Sequence, residues 1–215
     1  MAIQSSTLPV AHKRNRRRTA LAATKRTTMS DHLGGHLNRT NIDVGALEWL
    51  LDTFNPKSFL DIGCGPGGMV QEALNQGLDA RGIDGDPSVA QPFTTLHDFA
   101  EGPIDMEGKQ YDIGWSVEFI EHVYEKYIEN YMPAFQACDV LVVTYAPPGT
   151  PGHHHVNLQR EDYWIYKFGE YGFRFDVVHT LSLRNASTMN LNKKSEEKRF
   201  VQKRGMVFYR DPELS

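Results

Sequence analysis

The chain has 215 residues, 40% of them hydrophobic, with 23 basic and 27 acidic side chains and a formal charge of −4. That length carries one domain with a full core. No run of about eighteen apolar residues exists, which excludes a membrane-spanning helix, and two cysteines, Cys64 and Cys138, exclude a disulfide framework and suit a reducing compartment.

The charge is unevenly placed. Residues 1–40 hold eight basic side chains against Asp31, and the remaining 175 are net acidic. Residues 1–30 are rich in Ser, Thr and Arg and lack a stripe of apolar residues, so they are expected to form a basic, disordered arm ahead of a single domain over 31–215. The arm has three readings: a solvated tail, an organelle-targeting segment, or a contact for nucleic acid. Met29 is a second candidate start. With no apolar stretch after the N-terminal charges, a secretory signal is not expected and a cytoplasmic location is.

A Gly/His/Asn loop over 31–41 leads into a helix from residue 41 or 43, with Leu47, Leu50, Leu51 and Phe54 on one face. Asn55-Pro56 ends it. A strand over 58–62 is followed by a glycine-packed turn and a helix over 67–76, stopped by Gly77. A second strand covers 79–84 and ends in Asp84. Residues 85–88 start a short helical turn, and a third strand lies near 93–97. After a polar stretch comes a fourth strand, 111–116. Tyr124, Tyr127, Ile128, Tyr131 and Phe135 then keep helical spacing. A fifth strand covers 139–144, a helix 160–171, a sixth strand 173–179 and a last strand 205–210. A polar segment, 183–203, separates the last two. No internal repeat is present. Strands alternating with helices predict a parallel sheet covered on both faces.

The turn after the first strand reads Asp61-Ile62-Gly63-Cys64-Gly65-Pro66-Gly67-Gly68. Glycines let a ligand approach the backbone, and the helix N-terminus behind them offers free N–H groups. Asp84, about twenty residues on, stands where an adenosine ribose would put its hydroxyls. The string satisfies G-x-G-x-x-G, so NAD fits. S-adenosylmethionine (SAM) fits the details better. Asp61 is placed to receive an ammonium group, which SAM has and NAD lacks, and Pro66 removes a donor that a pyrophosphate would use.

The string 59–67 closely resembles the first motif of the class I SAM-dependent methyltransferases. Residues 96–99, 111–123, 138–144 and 171–173 resemble later segments of the same family, so the likeness spans roughly 42–210. It implies a doubly wound, mostly parallel seven-stranded α/β sheet in the order 3-2-1-4-5-7-6, with the last strand antiparallel. It also implies SAM as cofactor, held by Asp61, Gly63, Cys64, Gly65, Gly67, Asp84, Gly85, Asp98 and Phe99, with Asp98 facing the adenine amino group.

Catalysis by such an enzyme is mostly positioning, plus removal of a proton when the acceptor is a hydroxyl. Glu118, His122 and His154 are the expected catalytic residues, with His153 and His155 as further candidate bases. If the segment after the fourth strand is helical, Glu118, Glu121 and His122 share one face. They then have two readings. They hold a divalent ion with His154 or a neighbour, as in ubiquinone-pathway and small-RNA methyltransferases, or they form a pocket wall, as in metal-free relatives; the sequence favours the wall. His32 and His36 flank Gly34-Gly35, which argues against a helical zinc pair. The acceptor pocket is expected from 116–160, 183–203 and the 31–41 loop.

Three functions follow. The first is methylation of oxygen or nitrogen on a small polar molecule. The second is methylation of RNA, held by the basic arm. The third is a non-catalytic partner protein on the same fold.

Overall fold

The computed structural model describes residues 32–191 and 198–214; the expected basic arm over 1–30 lies outside the described residues. The first helix, α1 (Val44–Phe54), starts at Asp43, whose carboxylate accepts from the Ala46 N–H at 3.1 Å. It ends at Asn55 in the left-handed conformation. Asp43 does a second job. It is fully buried and also accepts from the Ser187 hydroxyl at 2.6 Å and the Thr188 N–H at 2.8 Å, 144 and 145 residues away.

The sheet is assembled from β1 (Ser58–Ile62), β2 (Asp79–Asp84), β3 (Thr94–Leu96), β4 (Tyr111–Ser116), β5 (Cys138–Val143), β6 (Phe173–Phe175) and β7 (Met206–Arg210). Their order is β3-β2-β1-β4-β5-β7-β6. β1 pairs in parallel with both β2 and β4, whereas β7 runs antiparallel between β5 and β6. The chain therefore reverses its winding between β1 and β4, which opens a crevice at the strand carboxyl ends.

Alternation along the strands sends successive residues to opposite faces. Leu60, Leu141, Val143 and Phe208 join one core, with α3 (Ile128–Gln136) and α4 (Glu161–Glu170) packed over them. Phe59, Trp115, Val142 and Val207 join the other, under α1 and α2 (Gly68–Asn75). Both faces are thus dry, and strands buried on both faces read as near-continuous apolar runs.

Three expectations need correction. The sixth strand stops at Phe175 and does not run to 179. Val177 and Val178 read as strand because they are β-branched, but Asp176 accepts from the His179 N–H at 2.8 Å and starts α5 (Val177–Ala186). A capping carboxylate satisfies a helix donor that a strand would have to pair elsewhere. The polar segment 183–203 is consequently not one loop. It begins inside α5, with Leu183 buried, and ends in a short helix, α6 (Phe200–Arg204), with Val201 buried. Finally, the segment after β4 is not α-helical at Glu118–His122. Glu118 adopts φ +58°, its N–H donates to the Thr144 hydroxyl at 2.8 Å, and only single 3-10 turns follow at Ile120–His122 and Glu125–Tyr127 before α3.

Candidate functional site

A cavity of about 860 Å³ opens at the carboxyl ends of β1, β2 and β4. Its first half is made by the glycine turn. The Gly63 and Cys64 N–H groups both donate to the Ile83 carbonyl, at 2.9 and 3.0 Å, which fastens the turn to β2. The Gly65 N–H donates to one Asp84 oxygen at 2.7 Å and the Asp86 N–H to the other at 2.8 Å. Gly63 has φ +79°, and a Cβ there would lie 2.4 Å from the Phe119 ring, so only glycine fits.

Asp61, Gly63, Cys64, Gly65, Asp84, Gly85, Asp98 and Phe99 all line the cavity. Gly67 does not. It lies behind the turn, at φ +77°, and the space its Cβ would need is filled by Phe93 at 2.4 Å. Its role is local packing. Cys64 folds its sulfur over Gly82, and burial first, then Asp61 and Asp84, push its thiol far above the usual range. It is an inert wall at neutral pH.

Asp61 is 5% exposed, and no described residue donates a hydrogen bond to its carboxylate. Burial first and Asp84 second raise its pKa well above the ordinary value. A carboxylate in this state gains most from a cation brought into the cavity.

The loop ahead of α1 closes over this half, a contribution that sequence reasoning placed on the acceptor side. His32 Nε2 sits 2.8 and 3.0 Å from the two Asp98 oxygens. His36 Nε2 lies 3.0 Å from Asp86 Oδ2, and the Thr40 hydroxyl accepts from the Gly68 N–H at 3.2 Å. Burial works to raise the Asp86 pKa, but hydrogen bonds from Ser88 and His36 outweigh it and leave Asp86 below the usual range. The signal for this strap was present as His-x-x-x-His and Thr, but its partners are 50 or more residues away for each histidine.

The second half is built on the segments after β4 and β5. The Glu121 carbonyl accepts from the Val156 and Asn157 N–H groups at 3.0 and 3.1 Å, which ties the two segments together. As a result the His122 and His155 rings meet edge to face at 4.9 Å. One ligand atom from each of Glu121, His122 and His155 lies within 4.8 Å of the others. The Glu121 side chain is fully buried, and neither of its oxygens has a hydrogen-bond partner among the described residues; Glu118 Oε1 is in the same state. His155 Nδ1 lies 3.0 Å from the Thr150 carbonyl, so Nδ1 carries the proton and Nε2 keeps a lone pair.

His154, expected as a ligand or base, stands elsewhere. Its φ of +47° turns the ring toward Tyr124, 5.3 Å away, and it does not line the cavity. His155, its neighbour, lines the cavity instead.

Electrostatics follow from this burial. Desolvation lifts Glu118 to about 7 against the opposing pull of Arg204, whose guanidinium lies 3.7 Å away. Glu121 is raised well above its ordinary value by burial and then by Glu118. Burial, then the neighbouring His155, lowers His122 to about 4, so its imidazole is neutral at pH 7.

No family model and no curated protein matches the sequence. Solved structures do match the fold. A TehB-like SAM-dependent methyltransferase from Corynebacterium glutamicum aligns over 78% of this chain and 88% of its own, with TM-score 0.52 and 18% identity. The methyltransferase domain of bacterial CtHen1 aligns over 78% of this chain and 96% of its own, with TM-score 0.51 and 19% identity. The CcbJ methyltransferase from Streptomyces caelestis aligns over 77% and 88%, with TM-score 0.51 and 10% identity. With the strand order, these likenesses show the class I methyltransferase fold.

Proposed function

We propose that this chain, built on the class I methyltransferase fold, transfers a methyl group from SAM to an oxygen or nitrogen of a small polar acceptor. The observation that carries the proposal is Asp61. A buried carboxylate without a hydrogen-bond donor, beside a glycine turn, suits the α-ammonium group that distinguishes SAM from NAD. Asp84 supports it, because each of its oxygens takes one N–H and keeps a second lone pair for a ribose hydroxyl.

SAM, when bound, supplies an already activated methyl group. The chain's own task is to bind, orient and deprotonate the acceptor. Glu118, near neutral in pKa and lining the cavity, is matched to accept a proton at physiological pH, whereas His122 is too weak a base. Glu121, His122 and His155 fit a divalent cation: one anionic oxygen donor and two imidazoles, desolvated and close together. Such an ion would lower the pKa of an acceptor hydroxyl. The geometry therefore favours the metal over the bare wall for these residues.

Calorimetry with SAM and NAD in parallel tests the proposal. SAM should bind and NAD should not, and Asp61→Asn should weaken SAM by about 10- to 100-fold, the loss of one charge-assisted contact. Unchanged SAM affinity in Asp61→Asn, or binding of NAD alone, overturns it.

A further inference from the structure

Arg204 is not accounted for by the cofactor or by the ion. It ends α6, just before β7, and lines the same cavity. Its side chain is 12% exposed. A guanidinium has five N–H donors, yet among the described residues Arg204 donates no hydrogen bond, and its Nε is buried without a partner. The nearest carboxylate oxygen, Glu118 Oε1, is 3.7 Å from a terminal nitrogen, beyond hydrogen-bond reach, and Oε1 itself has no partner. Phe200 covers the guanidinium at 5.7 Å from its ring centre. A largely desolvated cation with unmade hydrogen bonds is costly to keep. It is stable where a planar anion completes it.

We propose that Arg204 receives an anionic group of the methyl acceptor, a carboxylate or a phosphate, and so selects acidic acceptors. This rests on the methyl-transfer reading of the cavity. Two further cations, Arg39 and Lys198, line the cavity and are exposed, which suits them to draw an anion in. A second source of the same chemistry is the α-carboxylate of SAM. The topology speaks for the acceptor. Arg204 leads into β7, two strands from β4 on the side away from β1, and its charge acts on Glu118, Glu121 and Tyr145, while Asp61 feels burial and Asp84.

The test is titration of the full chain with inorganic phosphate and with acetate at constant ionic strength, with and without saturating S-adenosylhomocysteine. NMR of the arginine Nε–H groups reads it. The wild type should show saturable binding that persists with S-adenosylhomocysteine. Arg204→Lys, which keeps the charge without the fork, should weaken it several-fold, and Arg204→Gln should weaken it by about 10- to 100-fold. In a screen of acceptor pairs, each an acid and its amide, Arg204→Gln should raise KM for the acid alone.

Absence of saturable anion binding in the wild type overturns the proposal, as does equal binding by wild type and Arg204→Lys if Arg204→Gln does not fold. Equal binding by Arg204→Gln also overturns it. Displacement of the anion by S-adenosylhomocysteine assigns Arg204 to the cofactor's own carboxylate and overturns the acceptor assignment. Failure of S-adenosylhomocysteine to bind, with anion binding intact, defeats the methyl-transfer reading and leaves the Arg204 anion site standing.

Discussion

The two halves of the cavity bury carboxylates in opposite ways. Beside β1 to β3, Asp84, Asp86 and Asp98 are each met by N–H donors or imidazoles. Beside β4 and β5, Glu118 Oε1 and both Glu121 oxygens are buried with no donor. Apart from Asp61, which is left without a donor, the first half is complete as folded, so its other acids are held in place before a ligand arrives. The second half holds buried carboxylate oxygens whose hydrogen bonds folding alone does not supply. Preorganisation and deficit are two ways of making a site, and only the first leaves a compact local signature in sequence.

The sharpest way to break the comparison is to supply or withhold a cation. Chelation with EDTA should abolish methyl transfer while SAM affinity is retained, and manganese should restore turnover. Glu121→Gln should take up no manganese by calorimetry. If the wild-type chain binds no manganese, the unsatisfied carboxylates are a wall and not a metal site.

Next in size is removal of Asp84. Asp84→Ala frees two N–H donors of the turn and removes the expected ribose contacts. SAM affinity should fall by on the order of 2–4 kcal/mol, read by calorimetry. An unchanged affinity would mean that the saturated acids only shape the turn.

A third expectation concerns pH. Folding lifts Glu118 from 4.5 to about 7, so its protonated form stabilises the protein below 4.5 and that stabilisation is lost as pH rises through 7. His122 does the reverse. Folding lowers it from 6.5 to about 4, so its stabilisation is present above 6.5 and lost as pH falls through 4. Between about pH 4.5 and 6.5 the two oppose each other. Glu118→Gln should therefore gain stability relative to wild type as pH rises from 4.5 to 7, by on the order of 3 kcal/mol. Urea denaturation in EDTA across that range measures it. Parallel curves would show that Glu118 is solvated and that the deficit is smaller than its burial implies.

The smallest effect is expected outside the comparison. Deleting residues 1–28 should leave the melting temperature within a few degrees, because their sequence lacks a core-forming pattern. A large loss of cooperativity would show that the arm packs on the domain.

The contrast also explains what was legible in the sequence. The glycine turn is contiguous, and its strand, turn and helix announce themselves by periodicity and by residues with one physical use. Asp84 is near enough to follow from spacing. The second half depends on backbone geometry that spacing does not encode. A left-handed Glu118 removes the helical face expected of Glu118, Glu121 and His122. Two N–H groups reaching the Glu121 carbonyl from 35 and 36 residues away select His155 over its neighbour His154. α5 was hidden for a different reason: Val177 and Val178 resemble strand residues, and the single carboxylate of Asp176 decides otherwise.

The buried carboxylate of Asp43 sets a schedule for making this protein. α1 is translated first among the described helices, yet the Ser187 and Thr188 groups that fasten its start come 144 and 145 residues later. At ribosomal speeds of about 5–20 residues per second, that interval is roughly 7 to 30 seconds. Throughout it, Ala46, Leu47 and Leu50 lack the α5 surface against which they finally pack. Among the described residues, the α1 face that packs on α5 therefore waits for the last third of the chain before that contact can form.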